Sequence, residues 1–323
     1  MRVLITGASG FAGGWLARAC SEAGEEVIGV VRNPAPSPPE WFAPRVCDMR
    51  DRAGVSELLR SAAPDVVYHL AALSSVGRSW EDPAGTVEEN IATAVNMLEA
   101  LRLHAPSARV VWVSSCEVYG IAATLPIAED APAAPANPYA VSKTAGDLLA
   151  GVYADAHGLN LVRARPFNHT GPGQRSIFIT SSLARQAADG RAAGVTTLRI
   201  STGNPDTRRD FTDVRDVVRA YRLLAAGSGD AGAIYNVSSG RSVSAGEQVE
   251  LLASLISPIT VEHVVDPARV RAHEVMDLRG DNSRLRAATG WEPEIPFRQS
   301  LADTIEWWSR ELAQGIQSIP VRH

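Results

Sequence analysis

The chain has 323 residues, of which 45% are hydrophobic and 21% are charged, and its formal net charge is -5 at pH 7. This size and composition are typical of a globular protein with one large or two smaller domains, and the acidic balance excludes an extended positive field for nucleic acid. Because the sequence lacks a secretory signal and any run of about 18 apolar residues, we expect a cytoplasmic protein that does not bind a membrane.

The first half of the chain alternates short β-branched apolar runs with amphipathic stretches of helical length. The predicted strands are residues 3–6, 26–31, 65–70, 109–114 and 159–165, and the predicted helices are residues 11–23, 51–62, 83–103 and 138–157. This alternation is typical of a parallel sheet covered by helices. We therefore predict an α/β fold with a doubly wound Rossmann sheet, forming a dinucleotide-binding domain over residues 1–166.

From residue 167 onward the regular alternation ends. The sequence predicts a strand at 197–201 and helices at 213–226, 245–256 and 301–312, separated by turns rich in Gly, Pro and Asn. Such irregularity favours a smaller mixed α/β cap over residues 167–323 that contacts a substrate. Since no linker separates the two parts, segments of the cap are expected to return to the Rossmann sheet.

A glycine-rich turn follows the first predicted strand and opens the first predicted helix. Its sequence is Gly7-Ala8-Ser9-Gly10-Phe11-Ala12-Gly13. Gly7 suits the tight turn, Gly10 lets the backbone approach a pyrophosphate, and Gly13 allows close packing of the helix. The helix N-terminus adds unpaired N–H donors. This context favours a dinucleotide site over a turn without a ligand.

The residues after the second and third strands bear on which dinucleotide is bound. NAD-binding sheets usually have an acidic residue at the end of the second strand, whereas this chain has Val31-Arg32-Asn33. A guanidinium pairs well with a 2′-phosphate, so the sequence favours NADP(H), with NAD(H) and a merely solvated arginine as the alternatives. Asp48 is placed either to accept from the adenine amino group or to cap the next helix.

A phenol and an ammonium lie one helical turn apart in Tyr139-Ala140-Val141-Ser142-Lys143. The Lys143 charge and that of an oxidised nicotinamide would bring the tyrosine pKa toward the working pH, making Tyr139 a general acid or base. The spacing alone is common, but here it follows a glycine turn and a strand that ends at Ser115. At that position Ser115 either hydrogen-bonds the substrate oxygen or merely forms a turn.

Longer segments then connect the chain with a known family. They are His69-Leu70-Ala71-Ala72, the run from Arg165-Pro166-Phe167-Asn168-His169 to Gln174, Arg209-Asp210-Phe211-Thr212-Asp213, Tyr235-Asn236-Val237-Ser238, Asp266-Pro267-Ala268-Arg269 and Thr289-Gly290-Trp291-Glu292-Pro293. With them the chain resembles the extended short-chain dehydrogenase/reductases over its whole length. The run after Arg165 and the last two segments are similar to the GDP-6-deoxy-4-keto-mannose reductases within that family.

The resemblance implies that Asn168, Arg209 and Arg271 grip the diphosphate of a nucleotide sugar, as guanidinium chemistry allows. The alternatives are salt bridges from Arg209 to Asp210 or Asp213, and from Arg271 to Glu274.

The predicted catalytic residues are Ser115, Glu117, Tyr139 and Lys143. The predicted cofactor-binding residues are Gly7, Ser9, Gly10, Phe11, Ala12, Gly13, Arg32, Asp48, Met49, Leu70, Ala71, Ala72, Tyr139, Lys143 and Pro166. The predicted substrate-binding residues are Ser74, Ser115, Glu117, Asn168, Arg209, Arg271 and Glu274.

The activity implied by the resemblance is NADPH-dependent reduction of the C4 keto group of GDP-4-keto-6-deoxy-D-mannose to GDP-D-rhamnose. The alternative is a 4,6-dehydratase or epimerase on a GDP-, UDP- or dTDP-linked sugar, which recycles its dinucleotide and uses Glu117 as a base. A catalytically silent ligand sensor is a third interpretation, which the intact Tyr139 and Lys143 oppose. The resemblance also implies a homodimer formed through the helices at 83–103 and 138–157.

The three cysteines, Cys20, Cys47 and Cys116, are widely spaced and form no CxxC or Cys/His cluster. They indicate neither a disulfide framework nor a zinc site, so no metal is expected. Cys116 differs from the others because dehydratases of this superfamily have an acid or a serine at that point. A thiol is a poorer proton donor than a carboxylic acid, which weakens the dehydratase alternative.

Overall fold

The computed structural model describes residues 1–34, 39–227, 230–270 and 275–315. The chain forms two compact units. The first comprises Met1–Phe167, Val217–Val237 and Gly280–Glu292, and the second comprises Asn168–Asp216, Ser238–Arg279 and Pro293–His323. After Phe167 the chain therefore returns twice to the first unit.

The elements alternate strictly at first and less regularly later. The strands in the described part of the chain are β1 (Arg2–Thr6), β2 (Glu26–Val31), β3 (Ala43–Val46), β4 (Val66–His69), β5 (Arg109–Val113), β6 (Leu161–Pro166), β7 (Asn168–Thr170), β8 (Thr197–Thr202), β9 (Arg208–Asp213), β10 (Ile234–Val237), β11 (Ser242–Ser244), β12 (Thr260–Val265) and β13 (Asp277–Leu278). The helices are α1 (Phe11–Glu22), α2 (Arg52–Ala62), α3 (Val76–Glu81), α4 (Pro83–His104), α5 (Pro138–His157), α6 (Ile179–Ala192), α7 (Val214–Ala225), α8 (Ala245–Ile256), α9 (Ser283–Thr289) and α10 (Phe297–Ala313). None of these described helices combines the length and the apolar character that a membrane span needs.

The first unit is built on one sheet of seven strands in the order β10-β6-β5-β4-β1-β2-β3. Every neighbouring pair in it is parallel. The strand order reverses next to β1, between β1 and β4, and the carboxyl ends of those strands form the crevice where doubly wound sheets bind ligands. The predicted Rossmann fold is thus confirmed.

Burial on both faces explains why these strands are almost continuously apolar. All residues of β4 and β5 are buried, as expected when helices cover both sides of a parallel sheet. The helix α4 packs against α2 and α5, and their apolar side chains share a core with those of the strands. Each fully buried aliphatic side chain contributes about 1.5–3 kcal/mol. The core is lined by Leu4, Ile28, Val55, Leu59, Val67, Met97, Leu98, Leu101, Val110 and Trp112.

The second unit has its own core, in which α6 packs against α8 and α10. The indole N–H of Trp308 donates to the Ser181 hydroxyl over 3.0 Å, joining α10 to α6. The sheets of this unit are the strands β11, β9 and β13 with β7 on β9, and the parallel pair β8 and β12. The core residues are Leu183, Ala184, Ala187, Ile200, Val249, Leu252, Leu301, Ile305 and Trp308.

Candidate active site

The glycine-rich turn joins β1 to α1 at the carboxyl edge of the sheet. Gly7 has a φ of +72°, a conformation that residues with a side chain rarely adopt. A Cβ at Gly13 would lie 2.1 Å from the Gly7 carbonyl oxygen, so only glycine fits there. Gly10 caps α1 without a side chain to satisfy the first N–H groups of the helix. The turn therefore fits a pyrophosphate, which needs close backbone approach and free N–H donors. The predicted residues Ser9, Phe11 and Ala12 lie in this turn and in the first turn of α1.

Thr6, the last residue of β1, ties this turn to the loop after β4. Its hydroxyl oxygen accepts from the N–H groups of Leu70 and Ala71, both over 3.1 Å, and it shares a 3.0 Å hydrogen bond with Nδ1 of His69. Burial and the Lys143 charge lower the pKa of His69 to about 3, so the ring is neutral. The predicted segment 70–72 is therefore fixed beside the glycine turn. Neither Thr6 nor His69 was predicted as a site residue.

Two arginines lie beyond the ends of β2 and β3. Arg32 forms an ion pair with Glu89 of α4, and its side chain is 54% exposed. Arg50 donates through Nε to both carboxylate oxygens of Asp48, at 2.9 and 3.1 Å, and these hydrogen bonds lower the pKa of Asp48 to about 2. Asp48 does not cap α2. That alternative was wrong because Asp51 is the N-cap and accepts from the Ala53 N–H over 3.0 Å.

The candidate catalytic side chains meet at the carboxyl end of β5. Ser115 follows that strand, and its hydroxyl accepts from the N–H of Glu117 over 3.2 Å. Tyr139 is the second residue of α5 and is 8% exposed. Burial raises the pKa of the Tyr139 phenol, while a hydrogen bond with the Ser115 side chain acts in the opposite direction. The structure thus brings Ser115 and Tyr139 together, with the phenol held in its protonated form.

Lys143 lies one helical turn after Tyr139 and is the only lysine in a sequence with 31 lysine and arginine residues together. Its ammonium donates to the Val113 carbonyl of β5 over 2.7 Å. Burial lowers its pKa to about 8, and the carboxylate of Asp147 opposes that change. The ammonium is therefore held at the end of β5, on the same helix as the phenol and still protonated at neutral pH.

Asn137 connects the start of α5 with Glu117. Its side-chain oxygen accepts from the Ala140 N–H over 2.8 Å as the N-cap of α5, and its amide donates to the Glu117 carboxylate over 3.0 Å. Cys116, between Ser115 and Glu117, is 3% exposed. Asn137 was not predicted as a site residue, although an Asn-Pro pair before an amphipathic run is a recognisable helix start.

Asn90 of α4 is a second residue that the sequence prediction missed. It is 5% exposed, donates to the Ser142 hydroxyl of α5 over 2.9 Å and accepts from the Leu73 N–H over 2.7 Å. It therefore links α4, α5 and the loop after β4. A polar residue on a buried helix face was the available signal.

The remaining predicted residues of this unit are Ser74, which is exposed, and Met49 and Pro166, which are buried.

The predicted substrate residues that follow Phe167 belong to the second unit. The side-chain oxygen of Asn168 is buried without a hydrogen-bond partner among the described residues. Arg209 donates to the carbonyls of Arg208 and Val275 over 2.8 and 2.7 Å. The alternative of a salt bridge from Arg209 to Asp210 or Asp213 was wrong, because Asp213 pairs with Arg215 and Asp210 accepts from Ser239 and Gly240. Arg271 and Glu274 lie outside the described residues.

A doubly wound sheet with a buried phenol and ammonium at its carboxyl edge defines a short-chain dehydrogenase/reductase, an enzyme that works with a nicotinamide dinucleotide. Comparisons agree with this class. The family model described as GDP-mannose 4,6 dehydratase matches residues 4–304. A GDP-6-deoxy-D-mannose reductase from Pseudomonas aeruginosa is 38% identical over 97% of this chain and 99% of its own length. A UDP-glucose 4-epimerase from Mycolicibacterium smegmatis is 31% identical over 95% of this chain and 98% of its own length.

Solved structures give the same result. A putative epimerase from Burkholderia cenocepacia superposes with a TM-score of 0.86 at 34% identity, covering 96% of this chain and 98% of that one. The RMD protein from Pseudomonas aeruginosa, complexed with NADPH, superposes with a TM-score of 0.82 at 36% identity, covering 96% of this chain and 100% of that one. The chain belongs to the GDP-mannose 4,6-dehydratase family, whose members here include reductases, dehydratases and epimerases of nucleotide sugars.

Proposed function

We propose that the protein is an NADPH-dependent reductase that converts the C4 keto group of GDP-4-keto-6-deoxy-D-mannose to the alcohol of GDP-D-rhamnose. The observation that carries the proposal is the hydrogen-bonded pair of Ser115 and Tyr139 at the end of β5, with the Lys143 ammonium one turn further along α5. Reduction of a ketone needs a proton donor, and a buried, protonated phenol meets that need. The identity of the sugar nucleotide is supported by the similarity to the Pseudomonas aeruginosa reductase.

Each side chain has a defined part in the reduction. When bound, NADPH supplies a hydride to a carbonyl carbon. Tyr139 gives its proton to the carbonyl oxygen as the C=O π bond breaks, so that one C–H and one O–H bond form. Ser115 hydrogen-bonds the same oxygen, and the Lys143 charge stabilises the phenolate that Tyr139 becomes. In this scheme Tyr139 acts as an acid, which agrees with the raised pKa of its phenol.

We assign the dinucleotide to residues of the first unit. The glycine turn and segment 70–72 would hold the pyrophosphate and nicotinamide side, with Asp48 and Met49 near the adenine. The unsatisfied oxygen of Asn168 and the guanidinium of Arg209 are the proposed diphosphate ligands, since each retains hydrogen-bonding capacity toward a ligand. Arg271, Glu274 and Ser74 complete the proposed substrate set.

A 4,6-dehydratase or epimerase is the second candidate, and the placement of Glu117 favours it. Asn137 holds the Glu117 carboxylate next to the catalytic serine, where it can serve as a base. The neighbouring residue, however, is a buried thiol. A thiol protonates a leaving hydroxyl less readily than a carboxylic acid does, so the elimination step lacks its best donor.

The test is a panel of GDP-, UDP- and dTDP-linked sugars and 4-keto sugars, with NADPH absorbance and product identity followed together. We expect stoichiometric NADPH consumption with GDP-4-keto-6-deoxy-D-mannose. The sugars of the panel that lack a keto group should cause no NADPH consumption. Turnover without net NADPH consumption, by enzyme that keeps its dinucleotide through purification, would establish the second candidate.

NADP(H) is the proposed cofactor, with NAD(H) as the alternative, because Arg32 follows β2 at the position where NAD-binding sheets usually have an acidic residue. Arg32→Ala should weaken NADPH binding about tenfold or more, the effect of losing a hydrogen bond to a charged group, and should leave NADH binding nearly unchanged. Fluorescence titration of the two reduced cofactors measures both affinities. Equal losses would show that position 32 does not contact a 2′-phosphate.

A homodimer through α4 and α5 is also proposed. The two helices pack against each other, and α5 exposes Leu148 and Val152 at 55% and 58% on one face. Exposed aliphatic side chains on paired helices suit a two-fold contact in which four helices bury them. Sedimentation equilibrium checks the proposal, and a mass of one chain at micromolar concentration would contradict it.

A further inference from the structure

Glu89 lies between the two arginines of the proposed 2′-phosphate site. It is the ion-pair partner of Arg32, and its other carboxylate oxygen lies 3.9 Å from Nη1 of Arg50. The Glu89 side chain is 14% exposed, whereas the arginines are 54% and 53% exposed. The carboxylate is therefore the most buried charge of the group. It faces both guanidiniums from the α4 side.

The position of Glu89 is held by its own helix. One residue later, Asn90 binds the loop after β4. Two turns later, the Asn96 amide donates to the carbonyls of Met49 and Arg50, each over 3.0 Å. These contacts fix α4 against the segment that carries Asp48 and Arg50. These contacts of α4 therefore hold Glu89 next to the two arginines.

The charges of this group balance. Arg32 and Arg50 are matched by Asp48 and Glu89, and Asp48 is already engaged by the Nε of Arg50 at 2.9 Å. Glu89 is therefore the carboxylate that neutralises Arg32. A 2′-phosphate brings up to two negative charges to the same guanidiniums and is repelled by any carboxylate that remains there.

We propose that Glu89 is an internal substitute for the 2′-phosphate: it occupies Arg32 and Arg50 when the bound dinucleotide lacks that phosphate and yields them when the phosphate is present. The inference rests on the proposed function only in placing the adenosine ribose near Arg32. NAD(H) then binds without leaving the two arginines unpaired, and NADP(H) must displace a carboxylate. Glu89 thus reduces the discrimination between the two cofactors.

The test compares Glu89→Gln with Glu88→Gln, the same charge change at the exposed neighbouring residue of α4. Titration calorimetry with 2′,5′-ADP and with 5′-AMP measures the 2′-phosphate contribution without any sugar or redox chemistry. We expect Glu89→Gln to tighten 2′,5′-ADP binding about fivefold, as for loss of a repulsive partly exposed charge, with 5′-AMP unchanged. Glu88→Gln should change neither affinity.

Two further variants make the outcome decisive. In an Arg32→Ala background, Glu89→Gln should give a smaller gain, because Glu89 then competes with the phosphate for Arg50 alone. Glu89→Asp, which withdraws the carboxylate by one methylene, should give a smaller gain than Glu89→Gln. Weaker 2′,5′-ADP binding by Glu89→Gln, or a gain equal to that of Glu88→Gln, would overturn the proposal. If the sugar panel shows no reductase activity while these affinities are as expected, the proposed reaction is rejected but the role of Glu89 is not.

Discussion

Tyr139→Phe should lower turnover by about two to four orders of magnitude, the usual contribution of a positioned general acid. The variant removes only the hydroxyl that donates the proton. Because the ring remains buried against the end of β5, the affinity for NADPH should change little. Single-turnover kinetics with a 4-keto sugar, together with NADPH titration, measure both quantities.

Tyr153→Phe is the matched control, since Tyr153 lies on the same helix and its hydroxyl donates to Glu99 over 2.5 Å. Tyr153 is not one of the proposed catalytic residues, and its hydroxyl binds Glu99 instead of the Ser115 side chain. Tyr153→Phe should therefore retain turnover. Normal activity of Tyr139→Phe would remove the phenol from the mechanism.

Asp147→Asn is expected to destabilise the first unit by about 3–5 kcal/mol, the cost of breaking a buried ion pair from one side. The Asp147 carboxylate is 1% exposed and accepts from Arg165 over 2.7 and 3.2 Å. Arg165 is itself buried and lies over the Tyr119 ring, so the variant leaves a guanidinium without its counter-ion. Urea unfolding measures the loss. Asp155→Asn, an exposed change on the same helix, should stay within about 0.5 kcal/mol of the parent.

The same substitution has a second expected effect, because Asp147 raises the pKa of Lys143 against the effect of burial. With a single lysine, a ¹⁵N-lysine label gives one side-chain signal, which should titrate near pH 8 in the parent and lower in Asp147→Asn. The unfolded chain keeps this proton up to about its ordinary pKa of 10.5. The unfolded state therefore binds more protons between pH 8 and 10.5, and the contribution of this group makes stability rise with pH in that window. An unshifted signal in Asp147→Asn would show that the carboxylate does not act on Lys143.

Most of the parallel sheet of the first unit was predictable because β1, β2, β4, β5 and β6 are short apolar runs of strand length. The edge strand β3, Ala43-Pro44-Arg45-Val46, has no such run and was not among the predicted strands. The last strand, β10, was not predicted as an element, although the segment Tyr235-Asn236-Val237 was noticed for its resemblance. It has four residues and pairs with β6 from far along the chain. Periodicity cannot indicate which sheet so short a strand joins.

The helix α6 was missed for a different physical reason. Its buried face consists largely of small side chains, including Ala184, Ala187 and Ala188, and alanine and serine produce little apolar contrast around a helix. Close packing against α10 supplies the stabilisation that a wide stripe of large side chains would otherwise supply. The sequence pattern therefore looked irregular where the structure is a regular helix.

In the candidate site, the residues recovered from the sequence are those whose chemistry depends on local spacing. The glycine turn and the pair of Tyr139 and Lys143 are of this kind. Asn90, Arg50 and Glu89 make contacts across long sequence separations, such as the separation of 57 positions from Arg32 to Glu89. Spacing carries no information on such pairs, so their roles emerge only once α4 is packed beside the sheet.

Because Lys143 is the only lysine of the chain, proteolysis at this residue can measure local opening of α5. A protease that cuts only after lysine has one cleavage point in this chain, between Lys143 and Thr144, inside α5. Because that side chain is buried in the folded protein, cleavage requires the helix to detach transiently from β5. The cutting rate then reports how often α5 detaches. If Tyr139 and Lys143 contact the dinucleotide as proposed, a bound dinucleotide should slow the cutting.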